Sequence, residues 1–226
     1  MPKTSRTPQR REQSLTRERI IDASIALLDE SGEGGLTFRA LSGRLATGPG
    51  AIYWHVADKS DLLTAAADAI VARTLGPPAP GASPDAAIRA VALGMFDAID
   101  DHPWVGSALM RAPGQLPMVR LIESLGRELR ALHVPQDAQW AAVFALLSFI
   151  LGVSGQNAAN AHVARTRGLD RTVFLTDVAT VWANLDADDY PFARSIARHF
   201  PEHDDRADFV AGIDLILGGL AARRRR

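Results

Sequence analysis

Three adjacent side chains, Tyr53, Trp54 and His55, lie between the turn sequences Gly-Pro-Gly and Ala-Asp-Lys-Ser. Tyrosine occurs only twice in the 226 residues, so three rings together in so short a segment need an explanation. A tyrosine hydroxyl and an imidazole N–H can both donate to a phosphate oxygen. Lys59 adds a cation near the start of a predicted helix, where the helix dipole favours an anion. This combination predicts a segment that binds the phosphates of a polyanion.

Catalytic and metal chemistry has less support in the sequence. The chain has no cysteine, which excludes disulfides, thiolate metal sites and cysteine nucleophiles. No nucleophile elbow, P-loop, dinucleotide fingerprint or metalloprotease motif occurs, and no His/Asp/Glu cluster has metal-ligand spacing. The remaining acid–base candidates are histidines near carboxylates: His102 with Asp100 or Asp101, and His199 with Glu202 and His203. Such neighbours are typical of solvated helix ends, so we predict neither an enzyme nor a bound cofactor or metal.

The net charge of −1 conceals an uneven distribution. Residues 1–59 carry nine Lys or Arg and seven Asp or Glu, whereas residues 60–222 carry twelve and nineteen. The excess of base is strongest in the first twenty residues, with six basic side chains against two acidic ones. We interpret residues 1–15 as a basic, flexible arm, which suits a polyanionic partner at one end of the molecule. Residues 223–226 form an arginine tail.

One apolar segment, residues 138–154, raises the question of a membrane span. No Asp, Glu, Lys or Arg occurs from 138 to 164. A spanning helix needs about 20 apolar residues, whereas this run ends at Gln156 and Asn157 and has no flanking basic cluster. A buried helix in a bundle or dimer interface is the better interpretation, and the N-terminus has no apolar signal segment. We therefore expect a cytoplasmic protein without a membrane partner.

The first part of the chain is predicted to fold into short consecutive helices. Thr16 can cap a helix over 17–31, which the glycines from Gly32 onward end. Thr37 can cap the next helix, FRALSGRLA, and a very short helix is expected over 50–56, after TGPG. A helix, a tight turn and a further helix of these lengths predict a helix-turn-helix.

A Pro- and Gly-rich segment, residues 76–84, is predicted to be a linker. It separates the helix-turn-helix domain, residues 16–75, from a larger helical domain over 85–222. Proline and glycine divide this second domain into seven predicted helices, over 85–101, 104–112, 116–132, 137–164, 170–184, 190–200 and 206–222. No alternating Val/Ile/Thr run with hairpin turn chemistry indicates a strand. The predicted fold class is therefore all-α.

The segment LTFRALSGRLATGPGAIYWHVADKSDLL, residues 36–63, resembles the DNA-binding signature of TetR-family (tetracycline-repressor-like) transcriptional regulators. The preceding RERIIDASIALLDESGEGG is similar to the first helix of that family. Two later phrases, HPW at 102–104 and DFVAGIDLILGGLA at 208–221, resemble its ligand-binding half. The resemblance implies an N-terminal domain that binds an operator in double-stranded DNA and a C-terminal domain that dimerises and binds a small-molecule effector. It also implies that the effector releases the DNA, as in a repressor.

The resemblance and the residue chemistry together indicate which side chains contact DNA. They belong to the very short helix, its flanks and the start of the preceding helix: Thr37, Arg39, Pro49, Gly50, Ala51, Tyr53, Trp54, His55 and Lys59. Arg39 can pair with O6 and N7 of a guanine, or it can face a phosphate. Ordinary packing between helices is the alternative for the aromatic side chains, and of the three it suits Trp54 best.

The second domain is implied to form a homodimer through a four-helix bundle, with helices 137–164 and 206–222 as the candidate dimer surfaces. Candidate effector contacts are aromatic, apolar or amide side chains: Trp104, Met110, Phe144, Phe149, Gln156, Asn157 and Trp182. His162 is a further polar candidate, and core or interface packing is the alternative for the apolar members. Tetracycline itself is not expected, because Gln156 lies where that activity needs a carboxylate. An amide lacks the charge that a hard cation requires.

Two other classes of protein stay open at this stage. One is a small-molecule-binding helical enzyme, and the other is an interaction adaptor without sequence-specific DNA binding. Neither explains the phosphate-binding pattern between residues 37 and 59. Enrichment of one DNA sequence from genomic fragments would separate a regulator from both.

Overall fold

The computed structural model describes residues 15–77 and 79–224. Within these residues the fold has eleven α-helices, one 3₁₀ turn and no β-strand, which confirms the all-α prediction. The helices are α1 (Arg17–Gly35), α2 (Phe38–Leu45), α3 (Pro49–Tyr53), α4 (Lys59–Thr74), α5 (Pro84–Asp101), α6 (Trp104–Arg111), α7 (Leu116–Ala131), α8 (Gln136–Thr166), α9 (Arg171–Ala183), α10 (Pro191–Ala197) and α11 (Asp205–Arg224), and the turn is Phe200–Glu202. Residues 1–14 of the predicted arm, Pro78 of the predicted linker and residues 225–226 of the predicted tail lie outside the described residues.

The chain divides into two compact units, residues 1–66 and residues 67–226, and the division falls within α4. The predicted domain limits, with a linker over 76–84, stay a prediction. Every predicted helix is present, with ends shifted by a few residues. The helix predicted over 190–200 ends earlier, at Ala197, and the chain continues through Arg198 and His199 into the 3₁₀ turn Phe200–Glu202.

The ends of α1 follow from single residues. The Thr16 hydroxyl accepts a hydrogen bond from the Arg19 backbone N–H at 3.2 Å, which satisfies one of the free amides at the N-terminus. Gly32 adopts φ 61° and ψ −169°, so the helix is interrupted at the predicted stop. Only glycine adopts this combination without strain, because it lacks a Cβ.

The core of the first unit joins α1 to the three helices that follow it. Its members are apolar and at most 3% exposed: Ile20, Leu28, Leu36, Leu41, Ile52, Val56 and Leu62. An ion pair at the surface adds to this core, since both guanidinium N–H groups of Arg44 in α2 donate to the Glu30 carboxylate in α1 at 2.7 Å. These contacts fix the position of the α2–α3 segment against α1.

Helices α5, α6, α7, α8 and α11 supply the core of the second unit. Its fully buried members include Ile88, Met95, Ile99, Leu109, Leu121 and Phe209. At Gly212 in α11 the neighbouring helix comes very close, because an added Cβ would lie 2.1 Å from Cζ of Phe149. The Phe149 ring also stacks on Phe209, with centroids 5.5 Å apart. An aromatic pair therefore joins α8 to α11.

Helix α8 is 31 residues long, and among the described residues it alone has the length and apolar composition to cross a membrane. Core helices of soluble bundles share these properties, and 39% of its most apolar 18-residue window is buried. Trp140 and Phe144 on α8 are 67% and 56% exposed, and Leu215 on α11 is 79% exposed. Both helices predicted to form the dimer surface thus present apolar side chains to solvent in the protomer.

Candidate nucleic-acid interface and ligand cavity

The α2–α3 segment is a tight helix-turn-helix whose ends are set by capping residues. The Thr37 hydroxyl accepts a hydrogen bond from the Ala40 backbone N–H at 3.1 Å and so caps α2. Helix α2 ends at Leu45, and its C-cap residue Ala46 has a left-handed φ of 50°. Helix α3 then begins at Pro49, where a fixed φ and a missing N–H suit the first helical position.

The tip of α3 is small and accessible. Pro49 and Gly50 are exposed, and Ala51 is half-buried. A Cβ added at Gly50 would meet no atom within 4 Å, so packing within the protein does not require glycine there. Open space beside so small a tip lets the backbone approach another molecule closely.

Trp54 does not pack inward, which removes the packing alternative for this residue: its side chain is 90% exposed. Ile52 and Val56, four residues apart, occupy the buried side of the segment and are 0% and 3% exposed. Trp54 lies two residues from each, which points it away from that side. Tyr53 is 55% exposed, so two large aromatic side chains face solvent at the end of α3.

Tyr53 is held in place by a second aromatic side chain. Its ring stacks on Phe38, the first residue of α2, with centroids 4.3 Å apart and an interplanar angle of 13°. In the described part of the chain its hydroxyl makes no hydrogen bond. The ring therefore orients a free donor close to the N-terminus of α2. His55, two residues on, is half-buried.

A reciprocal cap fixes the start of α4, where Lys59 lies. The Asp61 backbone N–H donates to Asp58 Oδ1 at 2.8 Å, and the Ala57 backbone N–H donates to Asp61 Oδ2 at 3.0 Å. The Lys59 ammonium donates to the carbonyl oxygen of Glu33. An ammonium has three donors, so this bond positions Lys59 and leaves further N–H groups for a phosphate.

The two arginines of α2 have different environments. Arg39 is exposed and forms no ion pair or hydrogen bond with any residue that the structure describes. Arg44 is committed to Glu30, and its hydrogen bonds hold the pKa of that carboxyl below the ordinary value. Sequence reasoning missed this pair, because partners fourteen residues apart on different helices leave no periodic signal.

The second unit contains a cavity of about 740 Å³. Its walls come from α5, the C-terminal half of α8, the start of α9 and the segment that leads into α11. Asn157 is the one member of the seven predicted effector contacts that lines this cavity. The amide nitrogen of Asn157 is buried and has no hydrogen-bond partner among the described residues.

Three of the other predicted effector contacts pack within the unit. Trp104 is buried at 6% exposure. Phe149 stacks on Phe209, as described above. Trp182 meets Phe200 edge to face, with centroids 4.8 Å apart.

The remaining predicted contacts lie at the surface. Met110 is 59% exposed and Phe144 is 56% exposed. Gln156 donates a hydrogen bond to the side-chain oxygen of Asn160 at 3.0 Å, and His162 is exposed. The structure thus brings Tyr53 of the DNA-binding set onto Phe38, the residue after Thr37, whereas the seven effector residues are dispersed. Their roles stay predictions.

A chain of charged groups joins α9 to the start of α11 at the edge of the cavity. The Arg171 guanidinium donates to Asp205 Oδ2 at 2.6 Å and to the His203 carbonyl oxygen at 2.7 Å. The His203 ring lies between two carboxylates, Asp205 at 2.9 Å and Asp208 at 2.8 Å. Within the described residues no group of three or more His, Asp or Glu side chains is arranged to hold a metal ion.

Two more charged groups join this edge. Arg206 pairs with Asp97 of α5 at 3.3 Å, and hydrogen bonding to that carboxylate raises the pKa of Arg206. Asp204 caps α11, and the backbone N–H of Ala207 is the main cause of a lowered pKa for its carboxyl. The Asp204 carboxylate is therefore held in its charged form.

Comparisons with known proteins agree on one family. The family model described as bacterial regulatory proteins, tetR family, matches residues 20–66. The structure of the transcriptional regulator SCO7222, a TetR from Streptomyces coelicolor, is 49% identical, with a TM-score of 0.83 over 92% of this chain and 99% of that one. An HTH-type transcriptional regulator of Saccharopolyspora erythraea is 29% identical over 92% of this chain and 85% of its own length.

A third relative matches over a shorter stretch. The tetracycline repressor protein class D of Escherichia coli is 48% identical over 59 residues, which are 26% of this chain and 27% of that protein. The resemblance recognised in residues 36–63 is confirmed by these matches, and the relatives are transcriptional regulators. The chain belongs to the TetR family of bacterial regulatory proteins.

Proposed function

We propose that this chain is a ligand-responsive transcriptional regulator that binds a pseudo-palindromic operator as a homodimer. A small-molecule effector bound in the second unit releases the DNA, so the protein acts as a repressor. The name of the tetracycline repressor relative supports the direction of this regulation. Its place of action is the cytoplasm, where the DNA is, and the proposal contains no catalytic step.

The exposed end of α3 is the observation that carries the proposal. Trp54 is 90% exposed and Tyr53 is 55% exposed, although burial of such rings stabilises most proteins. Arg39 is also exposed and unpaired within the described residues. Large rings and a free cation beside a small helix tip suit a DNA groove with its phosphates.

The proposed contacts divide into two kinds. Thr37, Tyr53, His55 and Lys59 donate to phosphates, and the amides at the start of α2 add a favourable dipole for one of them. Arg39 reads a base edge, while Pro49, Gly50 and Ala51 allow the backbone to come close to the groove, with Ala51 near a thymine methyl. Trp54 covers the sugar-phosphate backbone beside them.

A homodimer supplies the second recognition helix. The exposed Trp140 and Phe144 on α8 and Leu215 on α11 are apolar side chains that a second copy would cover. The rings of Trp140 and Phe144 already lie 6.1 Å apart and form a continuous apolar patch. Two copies joined through these helices would present their α3 helices to half-sites about 34–36 Å apart, or a multiple of that distance.

Selection of bound fragments from the source genome tests the proposal. We expect enrichment of one inverted repeat whose half-sites are separated by whole helical turns. The variant Trp54→Ala should lose this enrichment, whereas Phe192→Ala, which removes an aromatic side chain that is 75% exposed in the second unit, should keep it. Recovery of unrelated fragments without a common sequence would contradict a regulator and favour an adaptor or an enzyme.

A further inference from the structure

The cavity in the second unit has an aromatic and aliphatic interior. Phe96 of α5 is buried at 8% exposure, and Phe174 and Leu175 of α9 are half-buried. On the α8 side, the cavity is lined by the small side chains of Ala161 and Ala164, which leave space for a ligand. A volume of about 740 Å³ is within the range of sites for drug-sized molecules. The volume and the two rings suit an aromatic, largely apolar ligand.

Helix α8 carries two unsatisfied polar atoms, one of which lines this cavity. The Nδ2 atom of Asn157 and the hydroxyl of Ser154, one turn earlier, are buried without a hydrogen-bond partner in the described residues. An unpaired buried group of this kind costs about 1–3 kcal/mol. A ligand with a hydrogen-bond acceptor would remove part of that cost at Asn157, which lines the cavity.

The charge around the cavity is negative. Five aspartates line it, against three arginines and one histidine, so the formal sum is −2 with the histidine neutral. Most of these charges are already paired or cap a helix. Arg206 is paired with Asp97 and Arg171 with Asp205. Asp100 of α5 has no such partner among the described residues, and it is the carboxylate left for a ligand.

We propose that the cavity binds an aryl-alkylamine, that is, a flat aromatic molecule with a hydrogen-bond acceptor and an alkylammonium side chain. The rings lie against Phe96 and Phe174, the acceptor meets the amide of Asn157, and the ammonium group lies at Asp100. Arg165 has no partner among the described residues and offers an anion a competing position, but the excess of carboxylates around the cavity favours a cation. The inference rests on the proposed function, since the ligand is its effector.

The cavity walls and the proposed dimer surface share the same helices. Arg206, whose ion pair with Asp97 closes one edge of the cavity, lies in the first turn of α11, and the same helix carries the exposed Leu215. Helix α8 likewise contributes Asn157 to the cavity and Trp140 to the dimer surface. A ligand that binds one arrangement of α8 and α11 better than another would change the distance between the two α3 helices and so the affinity for DNA.

A matched pair of fluorescent probes tests the chemistry of the cavity on the full-length, DNA-free protein. Dansylcadaverine and dansylglycine share the same aromatic sulfonamide but carry a cation and an anion. We expect dansylcadaverine to bind about tenfold more tightly than dansylglycine, the size of effect that one partly screened charge supplies. Equal affinities, or tighter binding of dansylglycine, would overturn the proposal.

Three variants locate the binding site. Asp100→Asn should reduce the preference for the cation to about threefold or less, whereas Asp101→Asn should not change it, because Asp101 is an exposed neighbour that does not line the cavity. Asn157→Leu should weaken both probes about fivefold through the lost hydrogen bond. Ala161→Phe fills the cavity and should abolish the binding of both probes, with circular dichroism confirming the helical fold. Unchanged binding in all three variants would overturn the assignment.

Measuring whether dansylcadaverine releases operator DNA distinguishes a failure of this inference from a failure of the proposed function. If the protein binds operator DNA and dansylcadaverine releases it equally from the wild type and from Asp100→Asn and Ala161→Phe, the effector site lies elsewhere and the inference fails, while the proposed function stands. If the probes follow the predicted pattern but no operator is found, the proposed function fails and the ligand chemistry stands. Release that is lost in Ala161→Phe supports both.

Discussion

The ring and the hydroxyl of Tyr53 have separate roles, and each can be tested by itself. The ring stacks on Phe38 at 4.3 Å, while the hydroxyl has no partner within the described residues. Replacement by alanine would remove both features and would mix a local packing change with the loss of a phosphate contact. Replacement by phenylalanine keeps the stack and removes the donor alone.

Tyr53→Phe should weaken binding to every DNA sequence by a similar factor, about fivefold to tenfold, because one hydrogen bond to a charged phosphate is lost. Thermal stability should not change, since the ring remains on Phe38. Fluorescence anisotropy with operator and random DNA measures both affinities. Tyr190→Phe, which alters the other tyrosine of the chain in the second unit, is the control. Wild-type affinity in Tyr53→Phe would remove the hydroxyl from the interface.

A substitution at Arg39 can show whether this side chain recognises a DNA base or only binds the DNA backbone. Lysine keeps the positive charge but loses the two-pronged geometry that pairs with guanine O6 and N7. Arg39→Lys should therefore reduce the preference at one base pair of each half-site by about 1–3 kcal/mol. Binding to random DNA should be nearly unchanged. A competition assay over single-base operator variants measures this, and an equal loss across all variants would make Arg39 a phosphate contact.

Among the elements, α1 and α2 are joined by an ion pair with a definite pH dependence. The hydrogen bonds from Arg44 lower the pKa of Glu30 below its ordinary value of 4.5. A lowered pKa in the folded state means that the pair stabilises fully above pH 4.5 and that this contribution is lost as the pH falls through the folded-state pKa. Both groups lie at the surface, so the effect should be small.

Glu30→Gln should therefore reduce hydrogen-exchange protection of the α2 amides at neutral pH, relative to the wild type at the same pH. The difference should disappear in acid, below the folded-state pKa of Glu30. Glu123→Gln, which removes an exposed carboxylate from α7, controls for the change in net charge. A difference between wild type and Glu30→Gln that persists unchanged in acid would mean that the ion pair is not its cause.

The contact between α8 and α11 leaves no room at Gly212. A Cβ there would lie 2.1 Å from Cζ of Phe149, so Gly212→Ala must displace a ring that also stacks on Phe209. We expect destabilisation of about 1–3 kcal/mol in urea unfolding, the usual cost of overpacking. Gly126→Ala in α7 is the control, because its Cβ would meet Val143 at 3.9 Å and alanine favours a helix. Equal stability of the two variants would contradict the close packing.

The sequence predicted the helices and their ends far better than it predicted the contacts between helices. Thr16, Thr37 and the glycine at 32 act through their own backbone neighbours, so their patterns predict helix ends directly. Trp54 was harder to place, because α3 is too short to show a periodic apolar face. Ile52 is buried within this helix, and the buried Val56 lies beyond its end. The cavity residues are contributed by α5, α8, α9 and the start of α11, and their meeting depends on long-range packing that composition does not encode.

At the scale of the whole molecule, the apolar side chains on α8 and α11 have to be covered for the protein to bind an operator as proposed. Leu215 is 79% exposed in the protomer, the highest value among the exposed apolar residues of these two helices. A charge placed there would remain hydrated in a monomer but would be buried without a partner between two copies. The cost of burying an unpaired charge falls on the dimer alone.

Leu215→Arg should therefore convert the dimer into a folded monomer and should abolish operator binding, although the DNA-binding unit itself is unaltered. Sedimentation equilibrium at micromolar concentration measures the mass, and circular dichroism checks that the helices persist. Val119→Arg places the same charge on α7, where the valine is 48% exposed, and should leave both mass and affinity unchanged. A wild-type chain that sediments as a monomer, or a Leu215→Arg variant that stays dimeric, would show that these helices do not form the dimer surface. A monomeric variant that still bound the full operator with wild-type affinity would remove the need for two recognition helices.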